Sequence, residues 1–185
     1  MVMTRKQALD LLKTKLQNQN LFKHCLAVEA VMRGLARHFH EDEEVWGLTG
    51  LLHDIDYQET RGVPEKHSLI GAEILAKQGL PPELVYAVKV HNEVHGLPRI
   101  SKIDKALFCT DPITGLIVAT ALVMPNKKLA EVRLDNILNR YKEKGFARGA
   151  NREHIALCSE LGSSLEEFIK IGLEAMKSIA QNLGL

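Results

Sequence analysis

Leu48-Thr49-Gly50-Leu51-Leu52-His53-Asp54 is an apolar run that ends in two adjacent ionisable side chains. An imidazole and a carboxylate side by side at the end of a buried segment are costly to desolvate unless a cation lies between them. Val45 to Asp54 is apolar on most sides, which predicts a central helix. Neighbours on a helix diverge by about 100°, so His53 and Asp54 converge on one ion only where the helix ends and Ile55-Asp56-Tyr57 leaves helical geometry. Any further donors have to come from other helices, as bundle cores allow.

Helical periodicity continues on both sides of this run. Thr4 and Gln7 predict a capping box ahead of Ala8, Leu11, Leu12 and Leu16. Asn20 is the expected cap of a helix carrying Phe22, Cys25, Leu26, Val28, Val31, Met32 and Leu35. Gly62 and Pro64 break the chain, and a helix is expected from about Pro64 to Gln78, ended by Gly79. Pro81 and Pro82 open another that reaches His91. Ser101 to Asp104 is a capping pattern for a segment running to Met124, which Pro112 is expected to kink or divide. Beyond it, helices are expected over Val132 to Lys144, over Arg152 to Leu161 capped by Asn151, and over Leu165 to Leu183. The face of the last, Leu165, Phe168, Ile169, Met176, Ile179 and Leu183, reads as core or as a partner-helix seam, which leaves a homo-oligomer open. The fold class is all-α, a compact bundle of roughly eight to ten helices, organised as one domain over residues 1–185.

Charge and composition narrow the function. The 24 Lys+Arg against 23 Asp+Glu give a net charge of +1, without the basic excess of a general nucleic-acid binder. Aromatic residues are 5% of the chain, and Trp46, Tyr57 and Tyr86 make no stacking platform. Cys25, Cys109 and Cys158 are dispersed, with no CxxC pair, and read as buried reduced thiols. The N-terminus has no apolar signal region, and no stretch reads as a membrane span, so a cytoplasmic protein is expected.

His24 lies among Phe22, Cys25 and Leu26, and Asp111 between Cys109 and Ile113, where an unpaired carboxylate is expensive. Two structural readings stand beside the metal one: Asp111 capping a helix that starts at Pro112, and His53-Asp54 forming a neutral hydrogen-bonded terminus. Taken together, His24, His53-Asp54 and Asp111 resemble the metal-binding signature of the HD-domain metal-dependent phosphohydrolases. The stretch His67-Ser68-Leu69-Ile70-Gly71-Ala72-Glu73-Ile74-Leu75, followed by Val90-His91-Asn92-Glu93, is similar to the subset of that superfamily that binds two metals. The likeness spans about residues 20–122, and the extension from about 126 to 185 looks similar to the C-terminal part of small stand-alone HD hydrolases.

The resemblance implies that His24, His53, Asp54 and Asp111 hold a first metal, and that His67 and His91, with Asp54 bridging, hold a second. One or two Mn, Fe, Co, Ni or Zn ions suit such mixed donors better than Ca or Mg. The activity it implies is phosphomonoester or phosphodiester hydrolysis by metal-activated water on a small phosphorylated substrate, a nucleotide among the candidates. Asp54, Asp56 and Glu59 are then the catalytic carboxylates, the last two as water-orienting or proton-relay groups. Arg61 and Lys66 flank His67 as candidate phosphate ligands. Two specialised branches are not matched: there is no Gly-Tyr-Pro element or His-His pair of the cyclic-dinucleotide phosphodiesterases, and Asp56, Tyr57 and Glu59 stand where guanosine tetraphosphate hydrolases carry a Glu-Asp pair. A non-enzymatic metal-containing nucleotide-binding or adaptor module is the alternative.

Overall fold

A computed structural model describes residues 3–185. Among these the chain forms helices and no strand, as the hydrophobic periodicity predicts. The helices are α1 (Arg5–Lys15), α2 (Gln19–Phe39), α3 (Glu43–Leu52), α4 (Tyr57–Thr60), α5 (Leu69–Lys77), α6 (Pro82–Val90), α7 (Lys102–Leu122), α8 (Leu134–Lys142), α9 (Arg152–Ala156), α10 (Leu165–Ser178) and α11 (Ala180–Leu183).

α2 is the shared wall of two apolar clusters. Ala27, Val28, Val31, Met32 and Leu35 pack with Leu107, Ile113, Leu116 and Ile117 of α7 and with Phe168, Ile169 and Met176 of α10. Cys25 packs in the other cluster, with Leu12 of α1, Leu48, Leu51 and Leu52 of α3, Leu75 of α5, and Leu84 and Val88 of α6. The apolar face of the last helices is therefore spent inside the fold, since Phe168, Ile169, Met176 and Leu183 are all buried.

α3 crosses α2 at backbone distance. A Cβ on Gly50 would stand 2.8 Å from Val28 O and 2.9 Å from Glu29 N, so only glycine allows the crossing. This approach brings His53, at the C-terminal end of α3, beside His24 on α2, with the two ring centroids 5.1 Å apart.

Several boundaries differ from the sequence expectations. α2 is capped by Asn18, whose side chain accepts from the amides of Asn20 and Leu21. The next cap is Asp42, which starts α3 two residues earlier than Val45. α5 starts at Leu69 and not near Pro64, because a carboxylate remote in sequence caps it: Asp56 Oδ2 accepts from Ser68 N at 2.9 Å and Gly71 N at 2.8 Å. α7 runs through Pro112 undivided, held by the buried Leu107, Ile113, Leu116 and Ile117 around it. The capping boxes at Thr4–Gln7 and Ser101–Asp104 form as expected.

α7 also corrects the expectation about membrane spans. At 21 residues it is long and apolar enough to cross a membrane, yet 67% of its most apolar window is buried inside the protein. It is a core helix. The three cysteines are buried and unpaired, and burial pushes the Cys109 thiol up to about 12, which leaves it protonated and inert.

Candidate metal centre

Four histidines and two aspartates from five parts of the chain meet between the two clusters. His24 comes from α2, His53 and Asp54 from the end of α3, His67 from the turn before α5, His91 from the end of α6, and Asp111 from α7. Asp54 is the hub. Its Oδ2 lies 3.5 Å from His53 Nε2 and 3.8 Å from His24 Nε2. Its Oδ1 lies 3.4 Å from His67 Nε2 and 3.5 Å from His91 Nε2. Asp111 Oδ1 joins the Oδ2 side, 3.0 Å from His24 Nε2 and 4.0 Å from His53 Nε2.

The fit to a cation can be judged from the chain alone. His53 Nε2 and His91 Nε2 are buried and make no hydrogen bond, an expensive arrangement for a polar atom with nothing to meet. Two overlapping sets, His24 with His53 and Asp111, and His53 with Asp54 and His91, bring their donor atoms within 4.8 Å of one another. Donors sharing one ion at bonds of about 2.1 Å are spaced by about 3 to 4 Å, and the pairs on the Oδ2 side, at 3.0–4.0 Å, have that spacing.

Each histidine is anchored through its other nitrogen. His53 Nδ1 donates to Gly50 O at 2.9 Å and His91 Nδ1 to Val88 O at 2.6 Å, in both cases three residues back, where the end of a helix leaves carbonyls without an amide partner. His67 Nδ1 donates to Asp56 Oδ1 at 2.9 Å. His24 Nδ1 lies 3.2 Å from Thr114 Oγ1, which itself donates to Asp111 O at 2.8 Å and so accepts from the ring. With Nδ1 carrying a hydrogen, all four rings turn Nε2 inward, the atom that serves as a metal ligand once it carries no proton.

The electrostatics point the same way. Burial pushes the His53 pKa down to about 4, so its ring is neutral. Burial also opposes charge on His24 and His91, but the Asp111 carboxylate at His24 and Asp54 at His91 outweigh it and raise both above the usual histidine value. Asp54 and Asp111, although burial works against their charge, are held below the ordinary carboxylate range by the surrounding imidazoles. Without an ion, protons on His24 and His91 supply the positive charge these carboxylates demand.

Asp56 occupies a different place from the one its sequence position suggests. It is 1% exposed, and both oxygens are engaged, Oδ1 by His67 and Oδ2 by the amides of Ser68 and Gly71. These contacts tie Asp56 to His67 and to the start of α5. A Cβ on Gly71 would stand 3.2 Å from Asp56 Cγ, so the glycine of the His67-xxx-Gly71 stretch yields both its amide and its space to this carboxylate. Glu59, Arg61 and Lys66 are exposed on α4 and the following turn and lie outside the donor cluster.

Further residues support the turn that carries His67, among them His95, which the sequence offers as a rim residue or extra ligand and more simply as a loop histidine. His95 Nε2 donates to His67 O at 2.8 Å, and Asn92 Nδ2 donates to the same oxygen at 3.2 Å and to Pro64 O at 2.9 Å. Ser68, at φ +71°, holds the strained backbone beside His67, and its hydroxyl donates to Lys89 O at 2.9 Å. The chain after His91 thus ties down the turn that presents His67.

Comparison with known proteins adds relatives to this geometry. The chain is similar to an uncharacterized protein of Methanocaldococcus jannaschii, 30% identical over 175 residues that cover 89% of this chain and 98% of that one. It is 27% identical to Ribonuclease Y of Lawsonia intracellularis over 73% of this chain but 26% of that protein. To the tRNA (cytidine(56)-2'-O)-methyltransferase of Thermoplasma volcanium it is 26% identical, over 86% of this chain and 48% of that one. The chain therefore spans about a quarter of that ribonuclease and about half of that methyltransferase. The HD domain family model matches residues 21–120, a span that begins before His24, ends after Asp111 and so encloses all six donors. Donor set, helical framework and family match agree, and the chain belongs to the HD domain family.

Proposed function

We propose that this protein is a metal-dependent phosphohydrolase acting on a small phosphorylated compound, with nucleotides the favoured members. One observation carries the reading: the two oxygens of Asp54 face separate pairs of imidazoles, His24 and His53 on one side, His67 and His91 on the other. His24, His53, Asp111 and Asp54 Oδ2 would hold one ion, and His67, His91 and Asp54 Oδ1 a second. Imidazole and carboxylate donors suit Mn, Fe, Co, Ni or Zn. A bound divalent ion supplies Lewis acidity and lowers the pKa of water from about 16 towards 7.

The chain's own residues do the rest. Asp111, whose side chain is 40% exposed, and His24, at 25%, form the open side where substrate arrives, while His53 at 0% is closed behind them. Asp56 acts in this reading by orienting His67. Arg61 and Lys66 offer cations to a phosphate from the turn that carries His67, and Glu59, exposed on α4, is the candidate acid for orienting water. The unpaired cysteines suit a reducing compartment such as the cytoplasm.

A second reading, hydrolysis of a phosphodiester in RNA, is favoured by two relatives whose names place them on RNA, a ribonuclease and a tRNA methyltransferase. The balanced charge and few aromatics weigh against it. Both are tested by supplying purified protein with Mn, Co, Ni or Zn and assaying phosphomonoesters, phosphodiesters and a short RNA, with Asp54→Ala as control. Turnover that disappears in the folded variant supports hydrolysis, and the best substrate selects between the two. Bound metal without turnover on any substrate would replace both with a metal-containing binding module.

A further inference from the structure

Arg99, Phe108 and His154 form a layered stack that the metal centre does not use. Arg99 Cζ lies 3.7 Å from the Phe108 ring centroid. The His154 ring lies 4.2 Å from the same centroid at an interplanar angle of 32°. Phe108 is only 3% exposed, covered by polar groups. His154 Nε2 is in turn 2.9 Å from Glu93 Oε2, so an acid from the segment after α6 holds the imidazole of the C-terminal extension.

The position of this stack matters. Phe108 precedes Asp111 by three residues on α7, and residues so spaced have Cβ atoms about 5–6 Å apart. Glu93 follows His91 by two residues. The stack is therefore tied through the chain to a donor on each side of Asp54: Phe108 stands one helical turn before Asp111, whose side chain is 40% exposed, and Glu93 stands two residues after His91.

Arg99 is also chemically free. Among the described residues Arg5, Arg33, Arg37, Arg133 and Arg140 pair with carboxylates, and Arg152 donates to backbone carbonyls. Arg99 has neither kind of partner, as is also true of Arg61 and Arg148, but of these three it is the one seated on an aromatic ring, and Glu93 is engaged by His154. Its guanidinium plane rests on an aromatic face while its N–H edge is unspent, an arrangement that preorganises the fork for an oxyanion with several acceptors. A staple joining residues 96–101 to α7 would need only the plane.

We propose that Arg99, seated on the Phe108 ring that His154 also packs against, is the subsite that binds the phosphate oxygens of a phosphate-ester substrate at the open edge of the metal centre. The inference takes its location from the hydrolase reading, but phosphate affinity can be measured without turnover. Inorganic phosphate is titrated calorimetrically into full-length protein with and without Mn, using wild type, Arg99→Gln, Arg99→Lys and His154→Gln.

Losing a charge-assisted fork should weaken phosphate binding about tenfold or more in Arg99→Gln, with manganese stoichiometry and melting temperature unchanged. Arg99→Lys, which keeps charge but not the fork, and His154→Gln should each lose about threefold or more. Wild-type phosphate affinity in Arg99→Gln, or a loss matched by loss of manganese, would overturn the proposal. If Arg99→Gln does not fold, Arg99→Lys decides: normal melting with wild-type affinity overturns it, and weakened affinity supports it. A wild-type protein that binds no manganese but loses phosphate on Arg99→Gln would leave this subsite standing and sink the hydrolase reading instead.

Discussion

Asp56 Oδ1 stands 2.9 Å from His67 Nδ1, and that contact determines which nitrogen of His67 faces Asp54. Replacing a carboxylate that orients a ligating histidine lowers metal affinity by about 10 to 100-fold. Asp56→Asn should therefore release the ion on the Oδ1 side while the His24, His53 and Asp111 side keeps its own. Metal content by mass spectrometry is expected to fall from two ions to one, and two ions at unchanged affinity would show that Asp56 does not act through His67.

Gly71 tests the same contact from the other side. A Cβ there would meet Asp56 Cγ at 3.2 Å and Oδ1 at 3.3 Å. Overpacking of this kind costs about 1–3 kcal/mol. Gly71→Ala should lower the denaturation midpoint and weaken the second ion more than the first. An unchanged midpoint in urea would mean that Asp56 yields freely.

The crossing of α2 and α3 should tolerate no side chain. The obstacles to a Cβ at Gly50, at 2.8 Å and 2.9 Å, are backbone atoms of Val28 and Glu29, which cannot rotate away. Gly50→Val is expected to cost at least about 2–3 kcal/mol and to separate His53 from His24, lowering affinity for the first ion. Chemical denaturation together with metal titration checks both effects.

How much of this was legible in the sequence follows from the range of each interaction. The all-α class and two capping boxes are local and were readable from periodicity and side-chain type. His53 and Asp54 stand out as polar residues ending an apolar run, whereas the assignment of His67 and His91 to a second ion rests on the resemblance to a two-metal subset. The role of Asp56 was not readable, because its partners lie 11 to 15 residues away across a turn, and the same contact moved the start of α5. The stack on Phe108 joins residues 99, 108 and 154 and leaves no periodic trace.

The protonation of the centre predicts how metal affinity varies with pH. His24 and His91 have raised pKa values in the metal-free fold, so their stabilisation is full below the unfolded histidine value and is lost as pH rises through the folded one. Asp54 and Asp111 have lowered values, so theirs is present above the unfolded carboxylate value and lost as pH falls. His53, lowered to about 4, works against the folded state as pH falls from the ordinary histidine range towards that value. A metal ion displaces the protons on His24 and His91. The rise in melting temperature on adding Mn should therefore grow with pH across the neutral range, and a rise independent of pH would contradict the assigned protonation.

The most direct test is anomalous scattering from crystals of the protein grown with Mn or Zn. One ion is expected between His24, His53, Asp111 and Asp54 Oδ2, and a second between His67, His91 and Asp54 Oδ1. Crystals supplied with metal that show no anomalous peak within reach of Asp54 would contradict this placement.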